Sequence, residues 1–134
     1  MKKTLSTSIL VLLAIMSLLG LTSCGNASNE QKSKMDSLMS QYESLIKDCE
    51  TSVNSYPSIP EDIEYTDNLN QLKATMQDII TQSMEIRKTY NENRDLYSQE
   101  DADNLINSLE EHIKFCENFS AQLKDGLNQN SSIN

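Results

Sequence analysis

Residues 35–53, with the sequence MDSLMSQYESLIKDCETSV, carry the clearest structural pattern in the chain. Apolar side chains recur there at intervals of three and four positions, and that spacing places them on one stripe of an α-helix. The stripe consists of Met35, Leu38, Met39, Tyr42, Leu45, Ile46, Cys49 and Val53. The pattern therefore predicts an amphipathic helix that buries one face against the rest of the protein.

The sequence also indicates where this helix begins and ends. Ser28 with Gln31 three positions later has the form of a capping box, which satisfies the first amide groups of a helix. Pro57 and Pro60 cannot continue a helix and predict a turn over residues 56–60.

A second helix is predicted after this turn. Pro60 suits its first turn, and Glu61, Asp62 and Glu64 complement the positive end of the helix dipole. Residues 91–95 break the apolar pattern. Arg87, Lys88 and Arg94 fall near the carboxyl end of this helix, where cations are favoured. The expected buried stripe is Leu69, Leu72, Met76, Ile79, Ile80, Met84 and Ile86, with Tyr90 near its end.

A third helix is predicted to open at Ser98, with Asp101 in the capping-box position, and to end at Gly126 as a C-cap glycine. Its expected stripe is Leu105, Leu109, His112, Cys116, Phe119 and Leu123, flanked by Ile106 and Ile113. Three such helices with short turns predict an all-α, up-down-up three-helix bundle. A longer hairpin that dimerises into a larger assembly stays open, and the oligomeric state is not predicted.

The N-terminal residues are built like an export signal. Lys2 and Lys3 precede an apolar run over residues 9–21, which is shorter than the roughly 20 residues that a membrane-spanning helix needs. The run closes on Leu21-Thr22-Ser23-Cys24, which resembles the lipobox of bacterial lipoproteins: a branched aliphatic residue, two small residues and a cysteine. Ordinary cleaved secretion and a retained signal anchor are the alternatives.

The resemblance implies a type II signal peptide that is cut before Cys24. It implies that Cys24 is diacylated on sulfur, with palmitate-type chains, and acylated on its new amino group. The membrane would then be a partner through this lipid anchor. Gly25 follows the cysteine, where an aspartate retains some lipoproteins in the inner membrane, so the resemblance favours the periplasmic face of the outer membrane.

These expectations divide the chain into four segments: a signal peptide at residues 1–23, a lipidated tether at 24–29, the bundle at 30–127 and a disordered polar tail at 128–134. The whole chain has 11 basic and 20 acidic residues. Loss of Lys2 and Lys3 leaves 9 basic against 20 acidic, a net charge near −11. Such a charge argues against nucleic acid or an anionic membrane surface as a direct ligand.

Cys49 and Cys116 both fall on inward stripes, at nearly equal depth in the first and third helices. Because those helices run parallel in an up-down-up bundle and the expected compartment is oxidising, the sequence predicts a Cys49–Cys116 disulfide. Closing this loop would stabilise the fold by roughly 4 kcal/mol on the chain-entropy model. The alternative is a pair of reduced, buried cysteines that pack as small hydrophobic side chains.

His112 is the only histidine and lies one turn before Cys116. A metal site of His112, Cys49 and Cys116 is an alternative that lacks an obvious fourth ligand, so no metal and no cofactor are predicted. Nucleophilic catalysis needs a histidine base beside the nucleophile, and a single histidine inside a helix does not favour an enzyme.

The sequence therefore favours a lipid-anchored, non-enzymatic helical module that binds an envelope protein or serves as an accessory subunit. Tyr65, Tyr90 and Tyr97 are the candidate binding residues, because tyrosine is a common interface anchor. The alternative is that these side chains merely widen the core stripes. Ile86 and Phe115 are further candidates for this surface. The alternative function is an acidic inhibitor of a cationic protein or enzyme.

Overall fold

A computed structural model of the chain describes residues 26–131 and shows an all-α fold. Three long helices are present: α1 (Asn29–Asn54), α2 (Ile63–Asn93) and α3 (Gln99–Ser131). A short 3₁₀ turn, Arg94–Leu96, connects α2 to α3. Within the described range there is no β-strand, so the predicted fold class is confirmed.

Helices α1 and α3 run parallel and in constant register. Near their N-terminal ends, Gln31 Nε2 donates to Asp103 Oδ1 at 2.8 Å. Farther along, Ser120 Oγ donates to Asp48 Oδ2, also at 2.8 Å. Both pairs are 72 positions apart in the sequence, which shows that the two helices advance together.

Helix α2 runs in the opposite direction. Arg94, just after its C-terminal end, pairs with Asp36 near the start of α1. Arg87, about two turns earlier in α2, pairs with Glu43, about two turns later in α1, at 3.5 Å. The order of the partners is reversed, so α1 and α2 are antiparallel and the bundle has the predicted up-down-up topology.

Helix α1 is the centre of the packing, because its backbone approaches both α3 and α2. Met35, Met39 and Tyr42 on α1 are completely buried, as is Leu109 on α3. The apolar core continues to Tyr56 and Leu123 at the far end, where Tyr56 OH donates to Leu123 O at 2.8 Å. The two inward stripes predicted for α1 and α3 therefore meet along most of their length.

The predicted N-terminal caps are present. Ser28 and Gln31 form a reciprocal capping box at α1. Ser98 Oγ accepts from the Asp101 amide at 3.0 Å before α3. Helix α2 is capped by Asp62, whose Oδ1 accepts from the Tyr65 amide at 3.0 Å, so Pro60 lies in the preceding turn and not in the helix itself. These bonds satisfy amides that have no partner within their helices.

Two sequence-based boundaries are corrected, as is the expected burial of one side chain. Helix α1 already includes Asn29, which the predicted tether at residues 24–29 had contained. Helix α3 does not end at Gly126 but continues to Ser131, so the start of the predicted polar tail is helical. No glycine with positive φ occurs in the described range, so Gly126 is not a C-cap residue, and Leu127 packs against the core just beyond it. Met84, expected inside, is 68% exposed.

The connection between α2 and α3 is held against α1 by one carboxylate. Asp36 accepts a fork from Arg94, with Nη2 at 2.7 Å from Oδ2 and Nε at 2.9 Å from Oδ1. It also accepts a hydrogen bond from the hydroxyl of the buried Tyr90. Chiefly the hydrogen bond from Arg94, and then that from Tyr90, lowers the pKa of Asp36 below its ordinary value.

Asp36→Asn should therefore destabilise the protein in a pH-dependent way. A lowered pKa means that the folded state binds the Asp36 proton less tightly than the unfolded chain. The stabilisation is complete above the ordinary aspartate pKa of about 3.9 and is lost as pH falls through the lower folded value. We expect the melting temperature of Asp36→Asn to lie below that of the native protein at pH 7, and the gap to narrow below about pH 4.

Asp67→Asn is the matched control, since Asp67 is an exposed carboxylate on α2 that makes no ion pair within the described residues. It should leave the melting temperature nearly unchanged throughout. A gap for Asp36→Asn that stays constant from pH 7 to pH 2.5 would contradict the role assigned to the carboxylate.

Candidate functional site

The chemically distinctive residues of the chain meet in the middle of the bundle, between α1 and α3. Tyr42, Cys49, His112 and Cys116 line a cavity of about 20 Å³, together with Met76 from α2 and phenylalanine side chains from α3. The cavity wall is apolar, and its volume is about that of one water molecule. It is too small for an organic ligand.

Cys49 and Cys116 lie at the same level, as the sequence predicts. Cys49 Sγ is 3.8 Å from the backbone oxygen of Cys116, and both side chains are buried. Burial raises the pKa of Cys49 to about 11 and that of Cys116 to about 12. The thiols are therefore protonated near neutral pH and are poor nucleophiles in the folded state.

The two thiols are free in this structure, and no sulfur–sulfur bond joins them. The disulfide thus stays a prediction for the exported protein. Two features of the structure are compatible with this disulfide. Cys49 and Cys116 lie at the same level of the bundle, since Cys49 Sγ contacts the backbone oxygen of Cys116, and both side chains are buried.

Thiol labelling separates the two states. In the reduced protein, both cysteines should resist a thiol reagent at pH 8 while folded, because they are buried and protonated, and both should react in urea. In protein purified from the cell envelope without reductant, we expect no reaction even in urea, and a mass lower by two hydrogen atoms than that of the reduced chain. Rapid labelling in urea without reductant would show that the pair remains reduced in the cell.

His112 is 3% exposed and is held in the core by contacts with Ser108 and Tyr42. Its Nδ1 lies 2.7 Å from Ser108 O, one turn earlier in α3, so Nδ1 carries a proton and donates to that carbonyl. Its ring meets the Tyr42 ring edge to face, with centroids 6.0 Å apart and planes at 83°. Within residues 26–131, no three His, Cys, Asp or Glu side chains are grouped so that they could hold a metal ion.

The hydroxyl of Tyr42 is the unusual atom of this region. Tyr42 is completely buried, and its OH has no hydrogen-bond partner among the described residues. Burial raises the pKa of Tyr42 above its ordinary value, so the hydroxyl keeps its proton under all ordinary conditions. A buried polar group without a partner loses its hydration and destabilises the fold by about 1–3 kcal/mol.

Tyr42→Phe should accordingly leave the free energy of unfolding unchanged or raise it by about 1 kcal/mol, because it removes only the unpaired hydroxyl. Urea denaturation measures this. Tyr56→Phe is the matched control: it removes a hydroxyl that donates to Leu123 O, and it should lower the free energy of unfolding by about 1 kcal/mol. An equal loss for Tyr42→Phe would mean that its hydroxyl is bonded in solution, for example to a water in the cavity.

The structure changes the interpretation of the three candidate binding tyrosines. Tyr90 is 2% and Tyr97 7% exposed, and their rings lie 6.1 Å apart within the core. Both rings are buried in this structure, which agrees with the alternative that they widen the core stripes. Tyr65 is half-buried, and its hydroxyl donates to Pro57 O at 2.8 Å, which fixes the turn between α1 and α2. Ile86 and Phe115 are half-buried and pack against the core.

Sequence reasoning missed a polar cluster that joins α1 to α3. Asp48 accepts from Ser120 Oγ at 2.8 Å and from Lys124 Nζ at 3.0 Å. These bonds lower the pKa of Asp48, the Ser120 bond contributing most. Ser120 is followed one turn later by Lys124, and that spacing on a helix face was the signal available in the sequence.

Large apolar side chains are exposed at three described positions: Ile63 at 74%, Met84 at 68% and Leu96 at 53%. Ile63 opens α2 and Met84 lies in its second half, while Leu96 ends the 3₁₀ turn. None of the described helices is both long enough and apolar enough to cross a membrane. Cys24 and the whole predicted signal peptide lie outside the described residues.

No protein-family model matches this chain, and no match was found among curated proteins or among solved structures. What the bundle can do must therefore be inferred from its own residues.

Proposed function

We propose that this protein is a lipid-anchored lipoprotein of the bacterial cell envelope whose helical bundle acts, without catalysis of its own, as an interaction or accessory module. The observation that carries the proposal is the sequence Leu21-Thr22-Ser23-Cys24 at the end of an export-type signal. The periplasmic face of the outer membrane is the proposed location, on the basis of Gly25.

The anchor follows from simple energetics. Each methylene buried in lipid contributes about 0.8 kcal/mol, and one chain alone holds a protein only reversibly. Diacylation of the Cys24 sulfur and acylation of its amino group would supply three chains, which makes the attachment effectively permanent. Such a protein has its position fixed before it meets a partner.

The outward face of α2 is the proposed contact surface for an envelope protein. Ile63, Ala74 and Met84 are all exposed, and their spacings of 11 and 10 positions are close to three helical turns, so they lie on one side of α2. Two large apolar side chains on this face are available to a partner, unlike the buried Tyr90 and Tyr97. Helix α2 is thus the natural place to test for binding.

The charge of the chain favours a second function, the acidic inhibitor. After loss of the signal, 20 acidic residues stand against 9 basic ones. A partner held by such a charge binds more weakly as salt increases, because surface charges are screened beyond about 10 Å at 0.1 M salt. Contact through the apolar face of α2 depends much less on salt.

In-cell crosslinking, followed by affinity purification and mass spectrometry, tests both the anchor and the partner. The native chain should be processed at Cys24 and carry the acyl mass, whereas Cys24→Ala should carry none and keep its signal. Cys49→Ala is the matched control and should be processed and acylated like the native chain. An unacylated Cys24 in the native protein would refute the proposed anchor.

The same experiment identifies the surface. We expect one dominant envelope protein that is lost with Cys24→Ala and is reduced by the double change Ile63→Ser with Met84→Ser. Asn118→Ser, on the exposed side of α3, should retain it. A partner that survives the double change and dissociates at raised salt would favour the inhibitor function.

A further inference from the structure

One end of the bundle is tied to the segment that leads back to Cys24. The Ala27 amide donates to Tyr97 O at 3.0 Å, which joins the chain just before α1 to the residue that follows the 3₁₀ turn. Only three residue steps separate Ala27 from Cys24. Fully extended, three steps span at most about 11 Å, so the Cα atom of Cys24 stays within that distance of the Cα atom of Ala27.

This limit selects the end of the bundle that faces the membrane. If Cys24 is acylated, as the proposed function requires, its chains enter the bilayer within a few residues' length of the Arg94–Leu96 turn. The turn over residues 55–62 lies at the other end of α2, whose 31 residues span about 46 Å. The bundle cannot exchange these ends without breaking the Ala27–Tyr97 bond.

The membrane-facing turn carries an exposed leucine. Leu96 is 53% exposed, although Tyr97 beside it is buried. An isolated exposed leucine means little on a free protein, but here the short tether holds it beside an apolar layer. Because the tether supplies the proximity, the transfer of the Leu96 side chain into lipid does not have to hold the protein at the membrane and only has to favour contact at this end of the bundle.

The charges around the Arg94–Leu96 turn do not favour electrostatic attraction between this turn and anionic lipid. Lys32 and Arg94 are both paired, with Asp95 and with Asp36 respectively. The side chain of Asp95 is 77% exposed although it pairs with Lys32, and the exposed Glu100 lies in the first turn of α3. The cations near the turn are thus paired within the protein, and the exposed carboxylates beside them do not favour approach to an anionic surface.

We propose that the Arg94–Leu96 turn rests on the lipid surface that holds Cys24, with Leu96 inserted at the edge of the apolar layer. The bundle then stands on this end, and the turn over residues 55–62, with the exposed Ile63 next to it, is held farthest from the membrane.

The chain contains no tryptophan, so a single introduced tryptophan reports its own position. We would compare Leu96→Trp with Ile63→Trp, each in the full acylated protein reconstituted into phosphatidylcholine vesicles that contain brominated lipids. The brominated lipids should quench Leu96→Trp several times more strongly than Ile63→Trp. Adding phosphatidylglycerol should not increase the quenching, since the turn is acidic.

Equal quenching of the two tryptophans would mean that the bundle lies flat on the membrane and would overturn the proposal, as would no quenching of Leu96→Trp in acylated protein. Mass spectrometry of the same samples keeps the two proposals apart: a missing acyl mass refutes the anchor itself, whereas acylated but unquenched protein refutes only the contact. If circular dichroism shows that Leu96→Trp does not fold, Gln99→Trp, at the exposed start of α3, takes its place with the same expectation.

Discussion

The parallel register of α1 and α3 is the constraint on which the rest of this structure depends. The two helices have inward stripes of matching length, and pairs of residues 72 positions apart meet near both ends of their contact. Two helices can run parallel only when a long connection leads from the end of one to the start of the other. Helix α2 is that connection between α1 and α3, and it packs less extensively against α1 than α3 does. Parallel pairing also brings Cys49 to Cys116 and closes the small cavity around them.

A slip of one helical turn, about 5.4 Å, would still bring inward stripe positions of α1 opposite those of α3. The polar ties do not tolerate it. After such a slip, Asp48 would lose its hydrogen bond from Ser120, and Asp103 would lose its hydrogen bond from Gln31. Partly exposed hydrogen bonds of this kind add little stability individually, so their main effect here is to favour the observed register over one in which they are broken.

Local features of this fold were accessible from the sequence, and features made by tertiary contact were not. The stripe of α1 and the cap at Ser28 depend on residues three or four positions apart, and both were predicted correctly. The Asp36–Arg94 fork joins residues 58 positions apart and has no local signature. Tyr90 was predicted near the end of the buried stripe and was also a candidate binding residue, because a tyrosine suits either environment. Its burial accompanies contacts with Asp36 and Tyr97 that have no local signature in the sequence. Gly126 looked like a stop, but Leu127 continues the packing beyond it.

The described residues form three long helices, and because this number is odd, the chain starts at one end of the bundle and finishes at the other. Ala27 lies at one pole, beside Tyr97, and α3 leaves from that pole and runs for 33 residues, about 50 Å, to Ser131 at the other. A reporter or a second domain fused behind Ser131 would consequently be displayed a full helix length from whatever holds the N-terminal pole. A two- or four-helix version of the same fold would return it to its starting point. The fold thus acts as a spacer of fixed length, with the N-terminal segment at one end of the bundle and Ser131 at the other.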